Sequence, residues 1–197
     1  MSSPAPFLGG LAVVIVLAIT TAPVRISAAR ADAINLDACN SAAVSQPFAP
    51  WGDLAWYELA PGGDFETPRW ALRGTARRVR GSEPYAATGS LGSWSLTLPA
   101  GSSAQSPPTC VDAAYPSARF FIAGTGVVAM TIVDGNVDIP AGTAVAGSNW
   151  LPTPVMLTSS AVAAATSNGV AQVSLRLTGL TGSAHVDDVF IDPWQRG

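Results

Sequence analysis

From Pro47 onward the chain runs in short stretches of alternating apolar and polar residues, each closed by Gly, Pro, Ser or Asn. A period of two puts every second side chain on one face of an extended strand, whereas a helix repeats its apolar positions every three or four residues. Trp94, Leu96 and Leu98 against Ser93, Ser95 and Thr97 make the cleanest such segment; Val173, Leu175 and Leu177 against Ser174, Arg176 and Thr178 make another. Trp56, Glu58 and Ala60 alternate with Tyr57 and Leu59 in a third. Further strands are predicted over residues 118–123, 127–133, 155–158, 171–178 and 186–191, with Asp134-Gly135-Asn136 as a turn. Ala161 to Ala165 reads equally as helix, strand or loop, because Ser and Gly flank so short a run. About eight strands, polar loops and no long internal repeat predict an all-β, antiparallel sandwich.

The last predicted strand, His185 to Pro193, differs from the others. Simple alternation places His185, Asp187, Val189 and Ile191 on one side and Val186, Asp188, Phe190 and Asp192 on the other, so each face carries an acid among apolar neighbours. A buried carboxylate needs a hydrogen-bond partner, an Arg or a metal, or else it takes up a proton. Pro61-Gly62-Gly63-Asp64-Phe65-Glu66 offers loop carbonyls and two carboxylates, the hard oxygen donors that Ca²⁺ prefers. Glu83 falls in a loop that looks remote from both segments.

Gly63-Asp64-Phe65-Glu66 followed by Trp70, with Val186-Asp187-Asp188-Val189 at the other end, resembles the calcium-containing jelly-roll carbohydrate-binding modules of the galactose-binding-like fold. The resemblance covers most of the chain after residue 55. It implies a jelly-roll sandwich whose first and last strands lie side by side. It also implies a structural Ca²⁺ held there by Glu66 and Asp187, with Asp64 and Asp188 assisting. Surface acids that cap a turn, or acids paired with a nearby Arg, are the competing readings.

Ahead of the strand pattern, residues 1–33 look like a signal peptide: Leu11 to Ile19 is an apolar core, and Ala31-Asp32-Ala33 or Ser27-Ala28-Ala29 suits cleavage. No Lys or Arg precedes that core, while Arg25 and Arg30 follow it, so an uncleaved anchor over residues 7–24 is weighed beside export. A lipid anchor at Cys39 does not fit, because the cysteine lies well past the apolar core. The expected organisation is a signal peptide over residues 1–33 and one secreted or envelope-associated domain over residues 34–197. If cleavage occurs, no membrane insertion persists. In an oxidising compartment, Cys39 and Cys110, the only cysteines, are expected to pair.

Charge narrows the partners. The chain carries a formal net charge of -3, which argues against nucleic acid as a ligand. Its positive charge is nonetheless clustered at Arg69, Arg73, Arg77, Arg78 and Arg80, read either as a patch for an acidic sugar or as a solvated strand face paired with acids. Familiar nucleophilic sites are missing: there is one His, no Lys and no Gly-x-Ser-x-Gly elbow. The expectation is therefore a non-catalytic, glycan-binding domain, with a structural or adhesive envelope domain and, behind it, an unusual hydrolase as alternatives. Sugar rings stack on aromatic faces presented by loops. Tyr85 and Tyr115 in Gly, Pro and Ser-rich stretches lead the candidates, followed by Trp51 and Trp150; Trp56, Trp70 and Trp94 are assigned to the core.

Overall fold

The computed structural model describes residues 43–112, 117–157 and 170–192. The signal-peptide candidate, Cys39, Tyr115 and the Ala161 to Ala165 run lie outside the described residues. Among those described, no helix is long and apolar enough to cross a membrane.

The fold is the antiparallel all-β jelly roll expected. Its strands are β1 (Val44–Ser45), β2 (Tyr57–Leu59), β3 (Ala71–Arg73), β4 (Arg77–Arg80), β5 (Trp94–Pro99) and β6 (Ser103–Gln105). They continue with β7 (Thr109–Asp112), β8 (Ser117–Asp134), β9 (Val137–Val145), β10 (Leu151–Pro152), β11 (Met156–Leu157) and β12 (Val170–Ile191). Strand β12 is the spine. One of its edges pairs with β8 along most of its length, and the other takes β7, β6, β5 and β2 in succession. Beyond these, β4 flanks β5 and β3 flanks β6.

Two strands predicted as separate pieces are continuous. Residues 118–123 and 127–133 belong to β8, and residues 171–178 and 186–191 belong to β12. The glycines that suggested breaks bend the strands instead. Gly124 and Gly126 have φ of 100° and 101°, and a Cβ on Gly126 would stand 1.8 Å from the Thr181 carbonyl oxygen. Only glycine permits that approach. The Gly135-Asn136 turn joins β8 to β9 as expected, whereas the β9 strand itself escapes the pattern. Its Pro140 sits beside a register shift at Met130/Thr131, the kind of irregularity at which a sheet tolerates proline.

The bends explain how one strand lines one core with residues of both parities. Val173, Leu175 and Leu177 are buried in the main core, and so are Ala184 and Val186 after a register shift between Gly179 and Thr181. A second shift lies between Asp187 and Phe190, with Asp188 at φ 46°. Val189 and Ile191 therefore join Val186 in the core, while Phe190 shares the opposite face with Asp187. The simple alternation placed Val186 with Phe190 and Asp187 with Val189, and the bulge at Asp188 overturns it.

The two segments linked by the resemblance do meet. Ala60 N–H donates to the Val189 carbonyl at 2.9 Å, and Val189 N–H donates to the Gly63 carbonyl at 3.0 Å. A Cβ on Gly63 would stand 2.6 Å from the Val189 carbonyl oxygen, so the turn needs glycine to dock. Trp70 fills the core beside Phe65, its ring N–H donating to the Pro61 carbonyl at 3.1 Å. Trp56 departs from expectation at 50% exposed, because Tyr57 on the alternate face turns inward.

Candidate functional site

On the face of β8 and β12 away from the main core, Phe121, Phe190 and Tyr57 gather around Phe48. Phe48 meets Tyr57 edge-on at 5.1 Å, stacks with Phe121 at 5.4 Å and meets Phe190 edge-on at 5.5 Å. This cluster is fully buried at its centre and is bordered by a rim of Trp51, Tyr85 and Trp150. The rim rings make their own contacts. Trp51 lies edge-on to Tyr85 at 4.8 Å, the Tyr85 hydroxyl donates to the Trp150 carbonyl at 2.7 Å, and Trp150 meets His185 edge-on at 6.4 Å. Tyr85 is 44% exposed, while Trp51 and Trp150 are half-buried. Three of the four aromatic candidates named from the sequence therefore converge from positions about a hundred residues apart.

Each rim residue is placed by local chemistry. Pro50 starts a single 3₁₀ turn over Ala49–Trp51, and Gly52 at φ 82° closes it with its N–H on the Ala49 carbonyl. Beneath it, Arg119 of β8 pairs with Asp53 at 2.7 Å, donates to the Thr153 carbonyl at 2.8 Å and stacks over Phe48 at 4.3 Å. The Tyr57 hydroxyl donates to the same Asp53 carboxylate at 2.9 Å. Burial and that carboxylate push the Tyr57 phenol up to about 12. The Asp53 carboxyl is held below its ordinary value by Arg119 and by the Ala55 and Tyr57 hydrogen bonds, which outweigh its burial.

Tyr85 is placed by an acid that looked remote in the sequence. Glu83 is 1% exposed, and its carboxylate accepts the N–H groups of Tyr85 and, at 2.9 Å, Ala87. Its own N–H donates to Asp187 at 2.9 Å. This corrects the reading of Glu83 as a loop acid far from the last strand: the loop between β4 and β5 folds back onto the Asp187 face. Ala86 takes a left-handed φ of 53° to make the turn.

Asp187 is 0% exposed and also accepts the Asp188 N–H at 3.0 Å; Asp188 is 4% exposed. Burial pushes Asp187 up to about 7, against the hydrogen bonds that stabilise its charge. Burial, with repulsion from Asp187 and Glu83, pushes Asp188 up to about 9. Asp64 adds to that repulsion and closes its own turn by accepting the Glu66 N–H at 3.2 Å. Glu66 stands apart, its carboxylate accepting the N–H groups of Ser93 at 2.6 Å and Trp94 at 2.9 Å.

The four acids assigned to Ca²⁺ thus divide. Asp64, Asp187 and Glu83 each lie within electrostatic reach of Asp188, while Glu66 is engaged with backbone amides. Among the described residues no group of three or more such side chains converges in metal-binding geometry. The donors of these acids are all carboxylate oxygens, and among the described residues no Arg pairs with them. The two ion pairs among the described residues use Arg119 with Asp53 and Arg176 with Asp138. Arg78 from the basic cluster instead donates to the Phe65 and Glu66 carbonyls at 2.6 and 2.8 Å. Cys110 lies in β7 and is not a free thiol.

A jelly-roll sandwich with a half-exposed aromatic rim beside buried acids is the class these features define. No family model matches the chain, and no curated protein is similar to it in sequence. Solved structures similar to it include the enzymatically active domain of a bacteriophage CBA120 tailspike, a family two carbohydrate esterase from Cellvibrio japonicus, and carbohydrate-binding modules. One, of family 61 in complex with β-1,4-galactotriose, is 16% identical with a TM-score of 0.42, covering 68% of this chain and 96% of that one. The family 11 module of a Clostridium thermocellum cellulosomal cellulase is 13% identical with a TM-score of 0.43, covering 73% and 98%. A C. thermocellum xylanase crystallised with xylohexaose, carrying a family 22 module, is 13% identical with a TM-score of 0.45; the match covers 71% of this chain and 28% of the xylanase.

Proposed function

We propose that this domain is a secreted, non-catalytic glycan-binding module whose sugar rests on the rim formed by Trp51, Tyr85 and Trp150. The convergence of these rings at the edge of a buried aromatic cluster carries the reading. The apolar C–H face of a pyranose ring stacks on such rings, and adjacent carbonyls and hydroxyls supply direction. The buried acids serve the rim indirectly. At 1, 0 and 4% exposure, Glu83, Asp187 and Asp188 do not reach a substrate; Glu83 holds the Tyr85 loop and Asp187 holds Glu83. Ca²⁺ bound by Asp187 and Asp188, with Asp64 and Glu83 beside them, would neutralise the cluster and brace that loop. Export through residues 1–33 and a Cys39–Cys110 disulfide belong to the same reading. The test is a binding titration of the exported protein and its Trp51→Ala and Trp150→Ala variants against β-linked galactan and xylan oligosaccharides. Binding that both variants weaken supports the module. A second reading, a scaffold domain with no sugar site, draws on the Tyr85 hydroxyl bond to the Trp150 carbonyl, which already ties two rim residues together. It is upheld if wild-type protein binds no glycan.

A further inference from the structure

We propose that the glycan is anionic and that Arg73 and Arg77, at the ends of the β3–β4 turn, hold its carboxylate or sulfate groups. This rests on the glycan-binding reading above and adds the charge of the ligand. Five arginines fall between Arg69 and Arg80, and none forms an ion pair among the described residues. Two are committed: Arg78 to backbone carbonyls and the Trp94 ring at 4.7 Å, Arg80 to the same ring at 4.9 Å. Arg69 lies along the backbone of Gly62, where a Cβ would come within 2.9 Å of it. Arg73 and Arg77 are exposed and have no hydrogen-bond or ionic partner among the described residues.

Strand register gives Arg77 its direction. Arg77 lies opposite Thr97, Thr97 opposite His185, and His185 opposite Ala123, a row that crosses β4, β5, β12 and β8. Residues directly opposite share a face of the sheet. Arg77 and His185 are thus on one face, two strand spacings or about 10 Å apart, and the Trp150 ring stands 6.4 Å from His185. A polysaccharide crossing the sheet from Trp150 passes His185 and arrives at Arg77, with Arg73 just across the turn, where Ala76 N–H meets the Arg73 carbonyl at 3.4 Å. A guanidinium fork matches a carboxylate or sulfate with two parallel hydrogen bonds, which a neutral sugar cannot return.

Calorimetric titration of the folded protein with polygalacturonate, its fully methyl-esterified neutral form, dextran sulfate and neutral galactan tests this. The expected result is binding of polygalacturonate or dextran sulfate at least about tenfold tighter than of either neutral polymer, weakening as salt rises. Whichever anion binds tighter identifies the group. Arg73→Gln/Arg77→Gln should bring anionic binding down to the neutral level, and Arg73→Lys/Arg77→Lys, which keeps the charge without the fork, should fall between. Both variants should melt as wild type does. Neutral polymers bound as tightly as anionic ones, with no effect of the Arg variants, would overturn the anionic assignment and leave the glycan reading standing. No binding of any of the four would overturn both.

Discussion

On one face of β8, Ala118, Phe120 and Ile122 pack against Val186, Val189 and Ile191 with no charged residue among them. On the other, Arg119 and Phe121 share their surroundings with Asp53, Tyr57 and, across β12, Asp187. The first face is held by burial alone, about 1.5–3 kcal/mol for each large apolar side chain. The second buries polar and ionisable groups whose partners lie far along the chain: Arg119 meets Asp53 across 66 residues, and Asp187 accepts the Glu83 N–H across 104. Such a face gains position at the expense of tolerance: it fixes where Trp51 and Tyr85 stand, and it fails if one partner is lost.

That contrast is sharpest at Asp53. Asp53→Ala leaves the Arg119 guanidinium buried without its carboxylate, a loss expected to cost about 3–5 kcal/mol, as much as Leu175→Ala in the main core at about 2–5 kcal/mol. Urea unfolding measures both. An Asp53→Ala cost below about 1 kcal/mol would mean that the pair is a surface bridge and that the two faces do not differ.

The disulfide comes next. If Cys39 and Cys110 close a loop of about seventy residues, reduction should remove roughly 4 kcal/mol. Mass spectrometry after alkylation without reductant should find both cysteines unlabelled; two labelled thiols on exported protein would remove the cross-link from the account.

The acid cluster gives a smaller effect with a definite sign. Asp187 and Asp188 hold protons in the folded state well above the pH at which they release them unfolded, so the native state binds more protons across the interval. Stability in chelator should therefore fall as pH rises from about 4 toward about 9. If Ca²⁺ replaces those protons, then at a hundredfold excess over Kd it should add about 2.7 kcal/mol, or about 5–10 °C in Tm. The gain should grow with pH. Asp187→Asn should flatten the pH dependence and remove the Ca²⁺ response, and Glu83→Gln should weaken that response. A Tm indifferent to chelator at every pH would assign the cluster to shared protons alone.

How far the sequence reveals each face follows from the same difference. The main core is readable where strands are regular, as at Leu96 and Leu98, because the apolar side chains recur with a period of two. Trp94, assigned to the core with them, is half-buried under Arg78 and Arg80 instead. It becomes unreadable at Asp188 and Gly179, where one extra residue reverses the parity and nothing in the local composition announces it. The opposite face is harder still. Trp51, Tyr85 and Trp150 can be nominated because aromatics in Pro and Gly-rich loops are conspicuous. Glu83 and Arg119 cannot, because their importance arises only from partners 104 and 66 residues away. The meeting of the Gly63 turn with the last strand was legible through family resemblance, not through periodicity.

The central claim is that Trp51, Tyr85 and Trp150 form one sugar platform. A glycan array probed with wild-type protein and with Trp51→Ala, in calcium and in chelator, tests it most directly. The account predicts a selective set of bound glycans, affinity reduced about tenfold or more by Trp51→Ala at unchanged fold, and weaker binding in chelator as the Tyr85 loop loosens. Wild-type protein that binds no glycan in calcium, or binds the same set undiminished after Trp51→Ala, would contradict it.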